Sequence, residues 1–290
     1  MKADRASFPA RCSTTLALVA CLAQIIGFNP LAAAGAEHPN PDSDPLSGLL
    51  AATFKITNKE YSGTCFLLEP PPASHWSNGV VIVVTAAHAL EQAPAGTECR
   101  IVMRERRADA DGSFVRREVP LPIRSEGKPL WVKHPDEDVA AIKLTLPLGV
   151  ACQPLRLDQL ARVKDFTNGR IRLGRDTWAF CFPAQFEANE AGLPVLRHGS
   201  IASLPLPPSS SRTFLVDCNT FGGDSGAPVL IVERGAVQPA GLIIGLVVGM
   251  QRETDTVSMP FEERTVHHPL GLAILAHSET IRQTVERLLR

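Results

Sequence analysis

Phe221-Gly222-Gly223-Asp224-Ser225-Gly226-Ala227-Pro228 decides how this chain is read, because glycines crowd one serine from both sides just before an apolar run. A serine hydroxyl is a weak nucleophile until an imidazole takes its proton. The imidazole in turn needs a carboxylate to fix its tautomer and stabilise its charged form. Two segments further toward the N-terminus supply these groups. Val84-Thr85-Ala86-Ala87-His88 ends an apolar run on an imidazole, and Asp138 heads the run Val139-Ala140-Ala141-Ile142-Lys143-Leu144. His88 and Asp138 lie 50 positions apart, and Asp138 and Ser225 87 apart. The order His, Asp, Ser is one of several that assemble this geometry.

Each residue competes with a simpler reading. A lone histidine after a strand is usually a packing residue, and His88 stands out only because the other two segments accompany it. Asp136 and Glu137 are rival carboxylates, but Asp138 is the one abutting a strand, so the other two read as solvated loop charges and His134 as a loop residue. Gly222, Gly223 and Gly226 permit a tight turn, which can aim the backbone amides of Gly223 and Ser225 at a developing oxyanion.

Together these segments resemble the chymotrypsin-like (trypsin-fold) serine protease superfamily, and within it the compact secreted bacterial branch that includes the glutamyl endopeptidases, over residues 50–290. Ala227 stands where many members carry a second glycine. The resemblance implies an all-β fold of two packed six-stranded antiparallel β-barrels with a C-terminal helix, acyl-enzyme chemistry on Ser225, and no cofactor. It also implies that Asn219, six residues before the serine, and Thr220 line the primary substrate pocket. A preference for Arg or Lys would need a carboxylate there to pair the buried cation, and Asn219 supplies none. Asn219-Thr220-Phe221-Gly222-Gly223 is similar to the glutamyl endopeptidase version, but the histidine those enzymes carry on the strand at 246–250 is replaced by Val247 and Val248. A neutral, fairly apolar preference is the expectation. No Ile-Val-Gly-Gly activation segment lies near Leu49, so Asp224 is expected to accept local hydrogen bonds rather than a newly released N-terminus.

At 290 residues, with 44% apolar residues and a formal net charge of −1, the chain can bury a sizeable core and carries no electrostatic footprint for nucleic acid. Arg104 to Arg107 read as a solvated hairpin, with a turn at Asp109 to Gly112 and a return at Arg116 and Arg117. Short β-branched or apolar runs at 51–57, 63–68, 80–85, 100–104 and 139–144 predict the first barrel, over residues 49–146. Runs at 177–182, 195–203, 213–217, 227–232, 242–250 and 272–276 predict the second, over residues 159–290. Ile281, Val285 and Leu288 or Leu289 fall at helical spacing after Ser278, an expected N-cap. The triad then straddles the cleft between the barrels, where ligand sites tend to form.

Lys2, Arg5 and Arg11, an uncharged apolar stretch over residues 13–28 and small residues at 32–36 have the layout of a secretory signal peptide spanning residues 1–36. Residues 37–48, rich in Pro, Asp and Ser, read as a flexible leader. A secreted or periplasmic protein follows. Leu18-Val19-Ala20-Cys21 also has the form of a lipoprotein processing box, the one route to a membrane tether, through Cys21. Cys65, Cys99, Cys152, Cys181 and Cys218 remain after such cleavage, enough for one or two disulfides whose pairing sequence cannot assign. No metal-ligand spacing is evident, and His267-His268 lack partners for a site. The sequence therefore predicts a secreted, monomeric serine endopeptidase acting on protein or peptide, against the alternative of a non-catalytic binding protein on the same fold. A third reading, an esterase of another fold, is weaker, because the α/β-hydrolase Gly-x-Ser-x-Gly elbow is missing and the order of the groups differs.

Overall fold

The computed structural model describes residues 44–290 apart from 59, 73, 75, 77, 94–97, 108–112, 234–239 and 260. The expected signal peptide, residues 37–43 of the expected leader and the turn at 109–112 lie outside the described residues. Among the described residues no helix is long and apolar enough to cross a membrane.

Strands β1 (Thr53–Thr57), β2 (Ser62–Leu68), β3 (Val80–Thr85), β4 (Glu98–Arg106) and β5 (Phe114–Pro122) precede a small two-stranded ribbon, β6 (Arg124–Ser125) with β7 (Lys128–Pro129). With β8 (Trp131–Lys133) and β9 (Ala140–Thr145), the larger strands make a curled antiparallel sheet of seven in the order β5-β4-β1-β2-β3-β9-β8. The second half closes fully. β10 (Asp176–Cys181), β11 (Val195–Ile201), β12 (Thr213–Asp217), β13 (Pro228–Glu233), β14 (Ala240–Met259) and β15 (Glu262–His277) form a six-stranded barrel in the order β10-β11-β12-β15-β14-β13. This is the two-barrel trypsin fold, with the first barrel formed by a sheet that curls without closing.

Strand periodicity explains the packing. On β2, Cys65 and Leu67 face the interior of the first sheet with Phe54, Val83 and Ile101, while Phe66 and Leu68 face the second barrel. Both faces of β2 are buried, so it reads as an unbroken apolar run rather than an alternation. Phe66, Ile82, Val84 and Ala141 meet Leu230, Ile243 and Leu246 across the seam. Each such large side chain contributes roughly 1.5–3 kcal/mol on burial. Ala179, Val216, Val229, Ile244 and Leu275 fill the second barrel.

Three expectations are corrected. Asp44 to Gly48, expected in the leader, begin a helix: α1 (Pro45–Ala52) has Pro45 in its first turn, and the Asp44 carboxylate accepts hydrogen bonds from the Leu46 and Ser47 amides at 3.2 and 3.1 Å. Arg104, expected in solvent, is 2% exposed. Its guanidinium donates to the carbonyls of Leu50, Thr53 and Gly192 at 2.9, 3.2 and 3.3 Å and lies 4.4 Å from the centre of the Phe54 ring. It thereby joins the end of α1 to the 192 loop. Burial lowers its pKa to about 10, so it stays charged at neutral pH. Ser278 does not cap the final helix, α4 (Ser278–Leu289). His277 is the N-cap residue, and the Ser278 hydroxyl donates to the Ala161 carbonyl at 2.9 Å. As expected, Ile281 and Val285 form the buried face of α4.

The expected disulfides are not formed. Cys65 and Cys99 in the first sheet, Cys152 between the barrels, and Cys181 and Cys218 in the second are all free thiols.

His277 is fully buried, its ring packed against Phe166 of the short helix α3 (Val163–Thr167) and against Phe214 at 4.6 and 4.9 Å between centres. Burial lowers its pKa from 6.5 to about 4, against an upward pull from the Ser211 backbone. The unfolded chain therefore takes up this proton before the folded one does. Stability is full above pH 6.5 and falls as pH drops from 6.5 toward 4, by about 3 kcal/mol from this group. Urea unfolding at pH 7.5 and 4.5 is expected to show this loss in the wild type and a smaller one in His277→Phe. Arg104→Ala, which removes the guanidinium from the Leu50, Thr53 and Gly192 carbonyls and from the Phe54 ring, is expected to cost about 3 kcal/mol in the same assay at neutral pH.

Candidate active site

His88 sits in α2 (Ala87–Glu91), the short helix that opens where β3 ends, and Asp138 lies just before β9. Because β3 and β9 pair with Thr85 opposite Ala140, the two side chains are delivered to one place by strand register. Asp138 Oδ1 accepts the His88 backbone amide at 2.9 Å, and Oδ2 pairs with His88 Nδ1. Burial alone would raise the Asp138 pKa. The hydrogen bonds and charge of His88, with the more distant Lys133, outweigh it and the pKa is lowered. The carboxylate stays ionised and holds the proton of the imidazole on Nδ1, leaving Nε2 as the acceptor.

His134 braces this loop. Its Nδ1 accepts the amides of Asp136 and Glu137, each at 3.2 Å, and its Nε2 meets Gln283 Oε1 of α4 at 3.0 Å. Asp136 and Glu137, expected as solvated charges, both face Arg212 at 3.2 and 3.8 Å.

The Ser225 turn is set by two glycines with left-handed backbones, Gly223 (φ +103°) and Gly226 (φ +91°). A Cβ on Gly223 would lie 2.2 Å from the Phe182 carbonyl oxygen, and one on Gly226 2.0 Å from the Thr64 carbonyl oxygen, so neither position accepts a side chain. Thr64 of β2, fully buried, grips the turn from the other barrel. Its hydroxyl donates to the Gly223 carbonyl at 2.8 Å, and its amide donates to the Ser225 carbonyl at 2.9 Å. Thr85 donates in turn to the Thr64 carbonyl at 2.7 Å. Lys55 of β1 supports the same region by donating to the Gln185 carbonyl and to Glu187, both at 2.9 Å. Ala184 and Gln185 carry positive φ against the back of the turn. Among the described residues the amides of Gly223 and Ser225 donate to nothing, which leaves both available to an oxyanion. Asp224 Oδ2 accepts the Phe221 amide at 2.9 Å, the local bond expected of it, and burial raises its pKa despite that bond.

Between His88 and Ser225 stands a residue that the sequence reading passed over. The phenol oxygen of Tyr61 is 3.1 Å from His88 Nε2, the Ser225 side chain neighbours the phenol, and the Tyr61 ring meets the imidazole edge-on at 5.5 Å. Burial raises the phenol pKa to about 12, so it is a neutral donor. It is the only tyrosine in the chain, a signal that sequence alone offered.

Asn219 and Thr220, the expected pocket residues, line a cavity beside the serine turn, and Thr220 Oγ1 is turned away to the Cys218 carbonyl at 3.0 Å. Val247 and Ala227 add apolar walls. Arg197, 5.3 Å from the centre of the Phe221 ring, also lines it, so the lining is not wholly neutral as expected. His267 and His268 lie remote from this group on the β14–β15 hairpin, His267 beside Thr254 and His268 beside Asp255.

A two-barrel fold carrying an imidazole–carboxylate pair and a serine on a glycine turn points to a class of hydrolase. Comparison with known proteins agrees: residues 63–237 match the model of the trypsin-like peptidase domain, and the chain belongs to that family. No curated protein matches it. Similar solved structures include the protease Anisep of Arthrobacter nicotinovorans, at 16% identity over 83% of this chain and 96% of that one, with a TM-score of 0.47. Others are the thermostable serine protease AL20 from an extremophilic microorganism (14%, 82% and 96%, TM-score 0.45) and the inactive form of the protease Rv3671c of M. tuberculosis (14%, 85% and 93%, TM-score 0.43).

Gly226→Ala, with its Cβ directed into the Thr64 carbonyl, is expected to displace the serine turn and abolish labelling of Ser225 by a fluorophosphonate, while circular dichroism shows both barrels still folded.

Proposed function

We propose that this trypsin-like peptidase is an exported serine endopeptidase that cuts peptide bonds through an acyl-enzyme on Ser225. The observation that carries the reading is the His88–Asp138 pair together with a serine turn whose Gly223 and Ser225 amides have no acceptor among the described residues. Ser225 Oγ attacks the scissile carbonyl carbon and its proton passes to His88 Nε2. The carbonyl oxygen, now an anion, takes hydrogen bonds from the amides of Gly223 and Ser225. Collapse breaks the C–N bond, and the departing amine takes the proton held on Nε2. Water, deprotonated by the same nitrogen, then releases the acyl group and restores the Ser225 hydroxyl. Asp138 stabilises the imidazolium in both halves without itself accepting the proton.

Every group in these steps is a side chain or amide of this chain, so the scheme calls on no cofactor. Asn219, Thr220 and Arg197 border the pocket for the residue before the scissile bond. Export rests on the basic, apolar and small-residue sequence of residues 1–36.

Ser225→Ala is expected to be folded and to lose casein hydrolysis by at least about a thousandfold. Retention of wild-type hydrolysis would sink the assignment of Ser225. Asp138→Asn, which removes the charge beside His88 while keeping its size, is expected to lower kcat by about ten-thousandfold with a far smaller change in KM.

A further inference from the structure

A neutral imidazole whose Nδ1–H is committed to Asp138 has one lone pair left, on Nε2, and that lone pair is the one that must accept the proton of Ser225. Here the Tyr61 phenol occupies it at 3.1 Å, and the Ser225 side chain neighbours the phenol. We propose that Tyr61 is a built-in plug, which holds the site closed by standing between base and nucleophile and must swing out before Ser225 can be activated. The proposal rests on the reading of Ser225 as the nucleophile and adds a gate to it.

Several independent features build this position. The backbone of Tyr61 is anchored in the turn between β1 and β2. Its amide donates to Asn58 Oδ1 at 2.7 Å, its carbonyl accepts the Asn58 amide at 2.9 Å, and the Thr57 hydroxyl also donates to that carbonyl, at 3.0 Å. Opening is therefore a side-chain rotation and leaves the turn in place. Gly63, two residues on in β2, is what lets the ring lie down. A Cβ there would fall 2.7 Å from the phenol oxygen and 2.8 Å from Cε1 of the ring, and the three atoms nearest to it all belong to Tyr61. Gly63 has no left-handed backbone to preserve, so an alanine there meets the Tyr61 ring first and displaces it. The high pKa of the phenol keeps it a neutral donor across the working range of such an enzyme, so pH alone does not remove it.

The same geometry supplies two separate ways to open the gate. Tyr61→Ala deletes the phenol. Gly63→Ala evicts it while leaving Tyr61 in the chain. The measurement is the second-order rate of fluorophosphonate labelling at Ser225, mapped by mass spectrometry, for the wild type and both variants, with fold checked by circular dichroism and thermal unfolding. Releasing a base held by one hydrogen bond is expected to raise the rate by about tenfold in both variants. Labelling of the variants alone, with an inert wild type, supports the plug in its strongest form. Equal rates in all three, or slower labelling in the variants, overturn the plug and leave Ser225 as the nucleophile. No labelling in any of the three folded proteins overturns the plug together with the reading beneath it.

Discussion

The candidate site depends on one buried residue of the first sheet. Thr64 uses its hydroxyl, amide and carbonyl on the serine turn and its support: the hydroxyl holds the Gly223 carbonyl, the amide holds the Ser225 carbonyl, and the carbonyl is held by Thr85 while lying where a Gly226 side chain would be. Because β2 pairs with β3, and β3 with β9, the strand that grips the serine turn is hydrogen-bonded directly to the strand that delivers His88 and, through it, to the strand that delivers Asp138. The spacing between groups on different barrels is thus controlled by backbone register and one short polar clamp. Such a clamp is effective because it is buried: away from water, an unmade hydrogen bond at any of these groups costs far more than the bond gains in solvent.

The same constraint governs the other buried polar groups. Arg104 survives between the barrels as a cation because three carbonyls and an aromatic face replace the water it gave up. Asp224 is less well served, with one strong local bond and a raised pKa, and it lies beneath the turn where preorganised amides are needed. Ala184 and Gln185 hold positive φ in the segment that packs behind Gly223, and Lys55 pins that segment from the first sheet. Strain and partly satisfied charge gather around the serine turn, as they do where backbone has been shaped for chemistry rather than for stability.

Much of the framework could be read without coordinates. β3 (80–85) and β12 (213–217) begin and end where their β-branched runs do, and the apolar stripe of α4 is buried on Ile281 and Val285 as its spacing indicates. The errors share a cause. Asp44-Pro45 is a helix-start signal, overlooked because the surrounding residues are polar and proline-rich, yet Leu49 and Ala52 give that helix an apolar face to bury. β14 and β15 run well past their apolar segments, as an exposed ribbon pairing Arg252–Met259 with Glu262–Pro269, because backbone pairing continues where side-chain burial has stopped. Arg104 looks like its neighbours Arg106 and Arg107 in one dimension and shares a strand face with Arg106; it is buried because the end of α1 and the 192 loop cover that face at its position.

By itself the sequence determined the class of fold, the pairing of His88 with Asp138 and the need for glycine around Ser225, because local periodicity, residue chemistry and turn geometry are properties of short segments. Only the tertiary structure decided that Thr64 is the clamp, that Arg197 borders the pocket and that Tyr61 stands on the acceptor nitrogen of His88. Each of these is a contact between residues brought together by folding. Tyr61 and His88 are 27 positions apart, and Thr64 and Gly223 159 apart, distances over which no sequence pattern specifies an ångström-scale approach.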